Sequence, residues 1–269
     1  MADQNVQFTG SVPAAYDRYL GPMLFEPYAA DLVGRLKFPP AANVLEVAAG
    51  SGILTARLRR AMPATAALTA TDLNAAMLAY ARAKMPDAAI TWQPADAQQL
   101  PFPDGAFDLV ACQFGVMFVP DKLRAFREAR RVLRPGGELA FSVWCSLADN
   151  PVGRIARDTI AGFFASDPPT FYDVPFGFHD PSLIVGMLNA AGFEVTSQER
   201  VGLEARSASA VDAARGLVAG NPVILAIEER ATAPVDDIVA AVADRLAAAG
   251  GDAPFRLPMS ALVFRARTA

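Results

Sequence analysis

A chain of 269 residues with 53% hydrophobic and 19% charged side chains can bury a large core, which excludes pervasive disorder. Its 24 Lys and Arg against 28 Asp and Glu leave a formal charge of -4 and no basic block, so nucleic acid is excluded as the expected partner in favour of a small molecule. Two cysteines, Cys112 and Cys145, and one histidine, His179, make neither a disulfide framework nor a metal site, and no run approaches about twenty apolar residues; a cytoplasmic protein without metal or membrane segment is expected.

In chain order, Pro39-Pro40 opens a regular pattern. The branched run Asn43 to Val47 predicts a strand ending in the small-residue turn Ala48-Ala49-Gly50-Ser51-Gly52. Leu54, Leu58 and Met62 then recur at helical spacing until Pro63 stops them. A second strand over Ala67 to Thr71 ends at Asp72, and a helix follows from Ala75 to Lys84. A third strand is expected at Ile90 to Gln93, then a loop from Ala95 to Gly105 and a strongly apolar strand at Phe107 to Cys112. Lys122 to Leu133 predicts a helix, closed by Arg134-Pro135-Gly136-Gly137 before a strand at Glu138 to Trp144. From Ser146 to Asp180, prolines mix with Phe163, Phe164, Phe171, Tyr172, Phe176 and Phe178, which predicts an inserted helical and aromatic cap. A helix at Ser182 to Ala191 and a strand at Phe193 to Glu199 resume the pattern; Ala208 to Ala249 is mostly helical with breaks at Gly220-Asn221-Pro222 and Pro234, before a last strand at Ala261 to Ala266. Alternation of this kind predicts an α/β three-layer sandwich around a mostly parallel seven-stranded sheet.

In such a sheet, ligands settle beyond the carboxyl ends of the strands. Glu46 ends the first strand, Asp72 ends the second and Asp96 follows the third, while Gly50 and Gly52 let backbone N–H groups approach a polar ligand. A carboxylate in this position can accept from two hydroxyls or from an amine. The competing reading, in which each carboxylate caps the next helix and the glycines make a plain turn, covers any one of them better than all three in order. Gly50-Ser51-Gly52-Ile53-Leu54-Thr55 also approaches a dinucleotide fingerprint, with Thr55 where the third glycine belongs, so an NAD(P)-dependent oxidoreductase stays open.

With these residues in place, Val44 to Trp144 resembles a class I S-adenosylmethionine-dependent methyltransferase, in particular the subgroup that contains the ubiquinone and menaquinone biosynthesis methyltransferases. Glu46 to Gly52 is similar to the family's acidic residue followed by alternating glycines, with Ala48 in place of the first glycine. The resemblance implies a Rossmann-like fold, S-adenosylmethionine as cofactor, S-adenosylhomocysteine as product and a small-molecule methyl acceptor. It further implies ribose recognition by Asp72, adenine contacts from Leu73 and Met77, and recognition of the adenine amine by Asp96 and the Ala97 backbone. Ala48, Gly50, Ser51 and Gly52 would receive the methionine end, with Gln113 and Phe114 near the transferred methyl. Phe8 and the run Tyr16-Asp17-Arg18-Tyr19 resemble an aromatic lid; Tyr16, and less directly Tyr19, either cover the sulfonium or pack on the core. One domain is expected, with a lid over 1–40, a cofactor-binding core over 41–145, a substrate cap over 146–181 and completion of the sheet over 182–269.

Methyl transfer from a sulfonium is an in-line displacement that asks the protein chiefly to align the reactants and exclude water. His179 is the one candidate base, with the start of the next helix as its alternative role. The cap aromatics either line an apolar acceptor pocket or form a small core of their own. Cys112 and Cys145 read as buried strand residues, and Arg124, Arg127, Arg130, Arg131 and Arg134 as a solvated flank. A non-catalytic S-adenosylmethionine-binding protein is the second rival, motivated by Ala48 and the lack of an evident base.

Overall fold

The computed structural model describes residues 7–87 and 89–268. Its centre is a seven-stranded sheet in the order β3-β2-β1-β4-β5-β7-β6. The strands are β1 (Asn43–Val47), β2 (Ala67–Asp72), β3 (Ile90–Pro94), β4 (Phe107–Gln113), β5 (Leu133–Trp144), β6 (Phe193–Ser207) and β7 (Phe255–Thr268). β1 to β5 pair in parallel, whereas β7 lies antiparallel to both β5 and β6. The order reverses between β1 and β4, which opens a crevice at their carboxyl ends.

Helices α2 (Glu26–Gly34) and α3 (Ile53–Ala61) bury Ala29, Leu32, Leu54 and Leu58 against one face of the sheet, where Val44, Leu68 and Leu109 meet them. Helices α5 (Lys122–Val132) and α8 (Pro181–Ala190) cover the other face with Phe126, Ile184 and Leu188 against Leu45, Val110 and Phe141. Each strand alternates between the two clusters because successive side chains point to opposite faces. α4 (Ala75–Lys84) packs beside β2 and β3.

β5 starts at Leu133, so the predicted helix-closing turn Arg134-Pro135-Gly136-Gly137 lies inside the strand; the pairing with β4 shifts register between Phe107 and Leu109 to absorb it. β6 and β7 run well past the predicted 193–199 and 261–266. Their extra length pairs Glu204 with Pro258 and Arg206 with Arg256, charged residues and a proline that hide a strand whose outer face meets solvent.

The cap contains α6 (Pro151–Ala161) and the short α7 (Asp173–Gly177), and the predicted helical tail resolves into α9 (Ala210–Ala219), α10 (Val223–Arg230) and α11 (Val235–Gly250). Buried Asn150 ties the entry of α6 to β7, donating to the carbonyls of Cys145 and Ser260 and accepting from the Ser260 N–H at 2.9 Å. Tyr172 donates to the Leu217 carbonyl at 2.6 Å, fastening cap to α9. No single helix among the described residues is long and apolar enough to cross a membrane.

The predicted lid spans 1–40, of which 1–6 lie outside the described residues. Its remainder comprises α1 (Val12–Ala15), a π-helical stretch over Tyr16–Phe25 and α2. Pro22, which lacks an N–H to donate, sits within that irregular stretch. Leu20 and Met23 are buried, and Gly216 on α9 makes this possible: a Cβ there would come within 2.8 Å of both Leu20 and Tyr19. Gly216→Ala is expected to cost about 1–3 kcal/mol, the usual range for overpacking, as read by urea unfolding; an unchanged midpoint would show that the strap yields freely at this contact.

Candidate active site

The turn after β1 is built on alternate left-handed residues, Ala48 at φ 57°, Gly50 at 56° and Gly52 at 83°. It is held by β2: Ala49 N–H donates to the Thr71 carbonyl, the Thr71 hydroxyl donates to the Glu46 carbonyl, and Gly50 N–H donates to Asp72 Oδ2 at 2.8 Å. The other Asp72 oxygen accepts from Asn74 N–H at 2.7 Å. Burial pushes the Asp72 carboxyl above its ordinary range, against the lowering effect of the Asn74 and Gly50 N–H groups. Each of its oxygens retains a lone pair for a ligand.

These turns border a cavity of about 340 Å³, within the range of roughly 300–1,000 Å³ usual for small-molecule sites. Of the predicted residues, Tyr16, Ala48, Gly50, Asp72, Leu73, Met77, Asp96, Ala97, Gln113 and Phe114 all line it. Leu73 is 63% exposed although apolar, leaving a face open to a ligand. Asp96 accepts from Gln98 N–H at 2.8 Å, and Gln113 Nε2 donates to the Phe25 carbonyl at 2.7 Å, joining the end of β4 to the strap.

A second, apolar cavity of about 60 Å³ adjoins the first, and Phe8, Tyr16, Phe114 and Phe118 line both. Aromatic rings make its wall: Phe114 stacks on Trp144 with centroids 3.9 Å apart, Tyr16 stacks on Phe25 at 4.7 Å, and Phe176 lies over Trp144 at 6.0 Å. No charged residue lines it among the described residues, and the amides of Asn150 and Asn221 and the hydroxyl of Tyr172 all donate to backbone carbonyls. The cap aromatics thus serve both expected roles, as core and as cavity wall.

Five predicted positions lie outside the cavities. Glu46 is buried beneath the turn, and its Oε2 has no hydrogen-bond partner. Ser51 donates its hydroxyl to Asp17 at 2.9 Å instead of facing a ligand. Gly52 packs against α4, since a Cβ there would reach within 2.3 Å of Met85. Tyr19 lies against α9 at Gly216, with the Arg18 guanidinium over its ring. His179 is exposed, its Nδ1 2.8 Å from the Phe176 carbonyl, and it lines neither cavity, so the base role loses its geometric footing.

Sequence reasoning missed Asn74, Phe118, Trp144 and Asp17. The first two belong to turns whose shape only the fold reveals. Asp17 carried a signal in its place beside Tyr16: it accepts from Ser51, from the Tyr80 hydroxyl at 3.2 Å and from Lys84 Nζ at 2.5 Å. Ala48 also gains an explanation. A Cβ at Gly115 would fall 2.3 Å from the Ala48 Cβ and 2.9 Å from Cys112 Sγ, so the methyl of Ala48 occupies the room that glycine leaves across the crevice.

The family model described as "Methyltransferase domain" matches residues 45–141. The Ubiquinone/menaquinone biosynthesis C-methyltransferase UbiE of Hahella chejuensis is 42% identical over 121 residues, 44% of this chain and 48% of that protein. The chain thus spans about half the length of that relative. The protein of the same name from Saccharophagus degradans is 32% identical over 169 residues, 57% of this chain and 68% of its own length. The chain belongs to the class I S-adenosylmethionine-dependent methyltransferases. The fold agrees: Phospholethanolamine N-methyltransferase 2 of Haemonchus contortus, solved with S-adenosylhomocysteine, superposes with a TM-score of 0.61 at 16% identity, covering 98% of this chain and 58% of that one. Membership of the methyltransferases removes the NAD(P) reading, and the Thr55 that broke the fingerprint is buried under the turn.

Two outcomes follow from this geometry. Gly115→Ala is expected to weaken S-adenosylhomocysteine binding at least tenfold by calorimetry, and Ala48→Gly in the same chain to restore part of the loss; additive effects would show that the two turns are uncoupled. Burial pushes the Glu46 carboxyl from 4.5 up to about 8, an effect that neighbouring Thr55 offsets only in part. The folded chain therefore holds a proton that the unfolded chain releases, and stability should fall as pH rises from 4.5 to about 8. Glu46→Gln should flatten that limb in urea titrations at stepped pH; an identical slope in both proteins would show that Glu46 ionises normally.

Proposed function

We propose that this chain transfers the methyl group of S-adenosylmethionine to a small apolar or aromatic molecule and releases S-adenosylhomocysteine. The observation that carries the reading is the junction of a carboxylate-bearing cavity with an uncharged aromatic one through Phe8, Tyr16, Phe114 and Phe118. The donor set fits the cofactor: Asp72 offers buried acceptor oxygens to ribose hydroxyls, Asp96 and the Ala97 backbone suit the adenine amine, and Leu73 and Met77 suit its ring faces. Ala48 and Gly50 bring backbone close to the methionine end.

When bound, the cofactor supplies a methyl group already activated by its sulfonium charge. Tyr16 stands at the junction, where a ring face suits a cation. Burial, with Asp72 and Asp17 nearby, pushes the Tyr16 hydroxyl well above its ordinary range, so it stays protonated and acts as a hydrogen-bond donor rather than a base. Phe114, Phe118 and Phe8 exclude water from the line of transfer. The division into a lid over 1–40, a cofactor core over 41–145, a cap over 146–181 and a sheet-completing remainder over 182–269 follows from these roles.

The acceptor cavity, at about 60 Å³, is smaller than the cavity of about 150 Å³ that holds a benzene ring, so the cap must yield to admit an aromatic acceptor. Among the described residues its walls hold no base, so the acceptor brings its own electron density. A quinol ring carbon, made electron-rich by its hydroxyl groups and related to the quinones in the relatives' names, meets that requirement, taking the methyl as the sulfonium C–S bond breaks and losing its ring proton to water after transfer.

Calorimetry should find that S-adenosylhomocysteine binds and NAD does not, with Asp72→Ala weakening binding by about 1–3 kcal/mol. Unchanged affinity in a folded variant would remove Asp72 from the ribose site. Incubation of labelled S-adenosylmethionine with a panel of phenols, quinols and aliphatic amines should label the first two classes; no labelled product from any of them would favour the binding protein.

A further inference from the structure

We infer that Asp17 is a positioning residue that latches residues 7–17 across both cavities and thereby sets how fast the adenosyl ligand exchanges. The inference rests on the reading of the larger cavity as the cofactor site. The strap is fixed at two points of different chemistry. Beyond residue 17 it is anchored by packing, with Leu20 and Met23 buried and Leu20 seated against Gly216 and Gly220. Before residue 18 it carries Phe8 and Tyr16, two of the four rings that wall both cavities.

Beside the burial of Val12 and the ring contacts of Phe8 and Tyr16, one carboxylate ties that first part to the turn after β1 and to α4. Asp17 gathers the Ser51 hydroxyl from the turn after β1 at 2.9 Å, and the Tyr80 hydroxyl and Lys84 ammonium from α4 at 3.2 and 2.5 Å. Those two elements also carry Gly50 and Met77, so the latch draws the strap onto the walls of the cavity itself. The Asp17 side chain is only 17% exposed, which shields the pairing from solvent better than an ordinary surface ion pair. Swinging Phe8 and Tyr16 outward breaks all three contacts together, and exchange of the ligand requires that swing. Ser51 thus serves the cofactor site at one remove, through Asp17.

The test uses the full chain and S-adenosylhomocysteine as the probe. Stopped-flow tryptophan fluorescence should give dissociation about tenfold faster from Asp17→Asn, as expected for losing a charge-assisted hydrogen bond, and a smaller acceleration from Lys84→Met. Amide hydrogen exchange should speed up within residues 8–18 while β1 and β4 keep their wild-type protection. Exchange that rises throughout the sheet, or dissociation at the wild-type rate, overturns the latch. Should Asp17→Asn fail to fold, Lys84→Met, which removes one donor of three, carries the same comparison. A wild-type chain that does not bind the probe brings down the cofactor reading and the latch with it, whereas wild-type binding with unaltered release from the variants removes the latch alone.

Discussion

One buried carboxylate holds the crevice in shape. Asp72 accepts from the N–H groups of Gly50 and Asn74, which lie on the turns following two different strands, and so joins them through one side chain. Its own carbonyl accepts from Ala95 N–H, so the ends of β1, β2 and β3 are laced through a single residue. The turn after β1 needs that fastening, because one of its left-handed residues, Ala48, carries a Cβ that disfavours the conformation. A carboxylate buried this far is tolerated because backbone donors take the place of water.

From that fixed rim, the molecule builds outward with progressively softer contacts. The sheet and its flanking helices are close-packed, while the cavity junction is closed by aromatic rings contributed by the strap, β4, β5 and the cap. Rings suit this position because they exclude water over a large area with few rotatable bonds. Gly216 of α9, Gly220 just after it and the buried amide of Asn150 let the strap and cap approach closely without leaving polar groups unpaired.

Much of this was legible in the sequence because it depends on order. Strand, acidic residue and small-residue turn recur along the chain, and Asp72, Asp96, Ala97 and Gly50 all line one cavity as their positions require. What escaped was set by direction and by pairing. Glu46 and Val47 are neighbours on β1, but successive side chains point to opposite faces, so Val47 lines the cavity while Glu46 turns beneath it. The full length of β6 and β7 was hidden because their outer residues are polar, and the part played by Ser51 was hidden because its partner lies on a segment distant in the chain. His179 misled for a simpler reason: a rare residue draws notice wherever it stands.

The left-handed backbone of Phe114 places one ring in the partition between two chambers. Any displacement of that ring on filling one chamber alters the shape of the other. Ligands filling the two chambers would then be thermodynamically linked, and the free energy by which one modifies the affinity of the other must be returned in equal measure. A wall shared in this way makes order of arrival a property of the pair of ligands rather than of either alone.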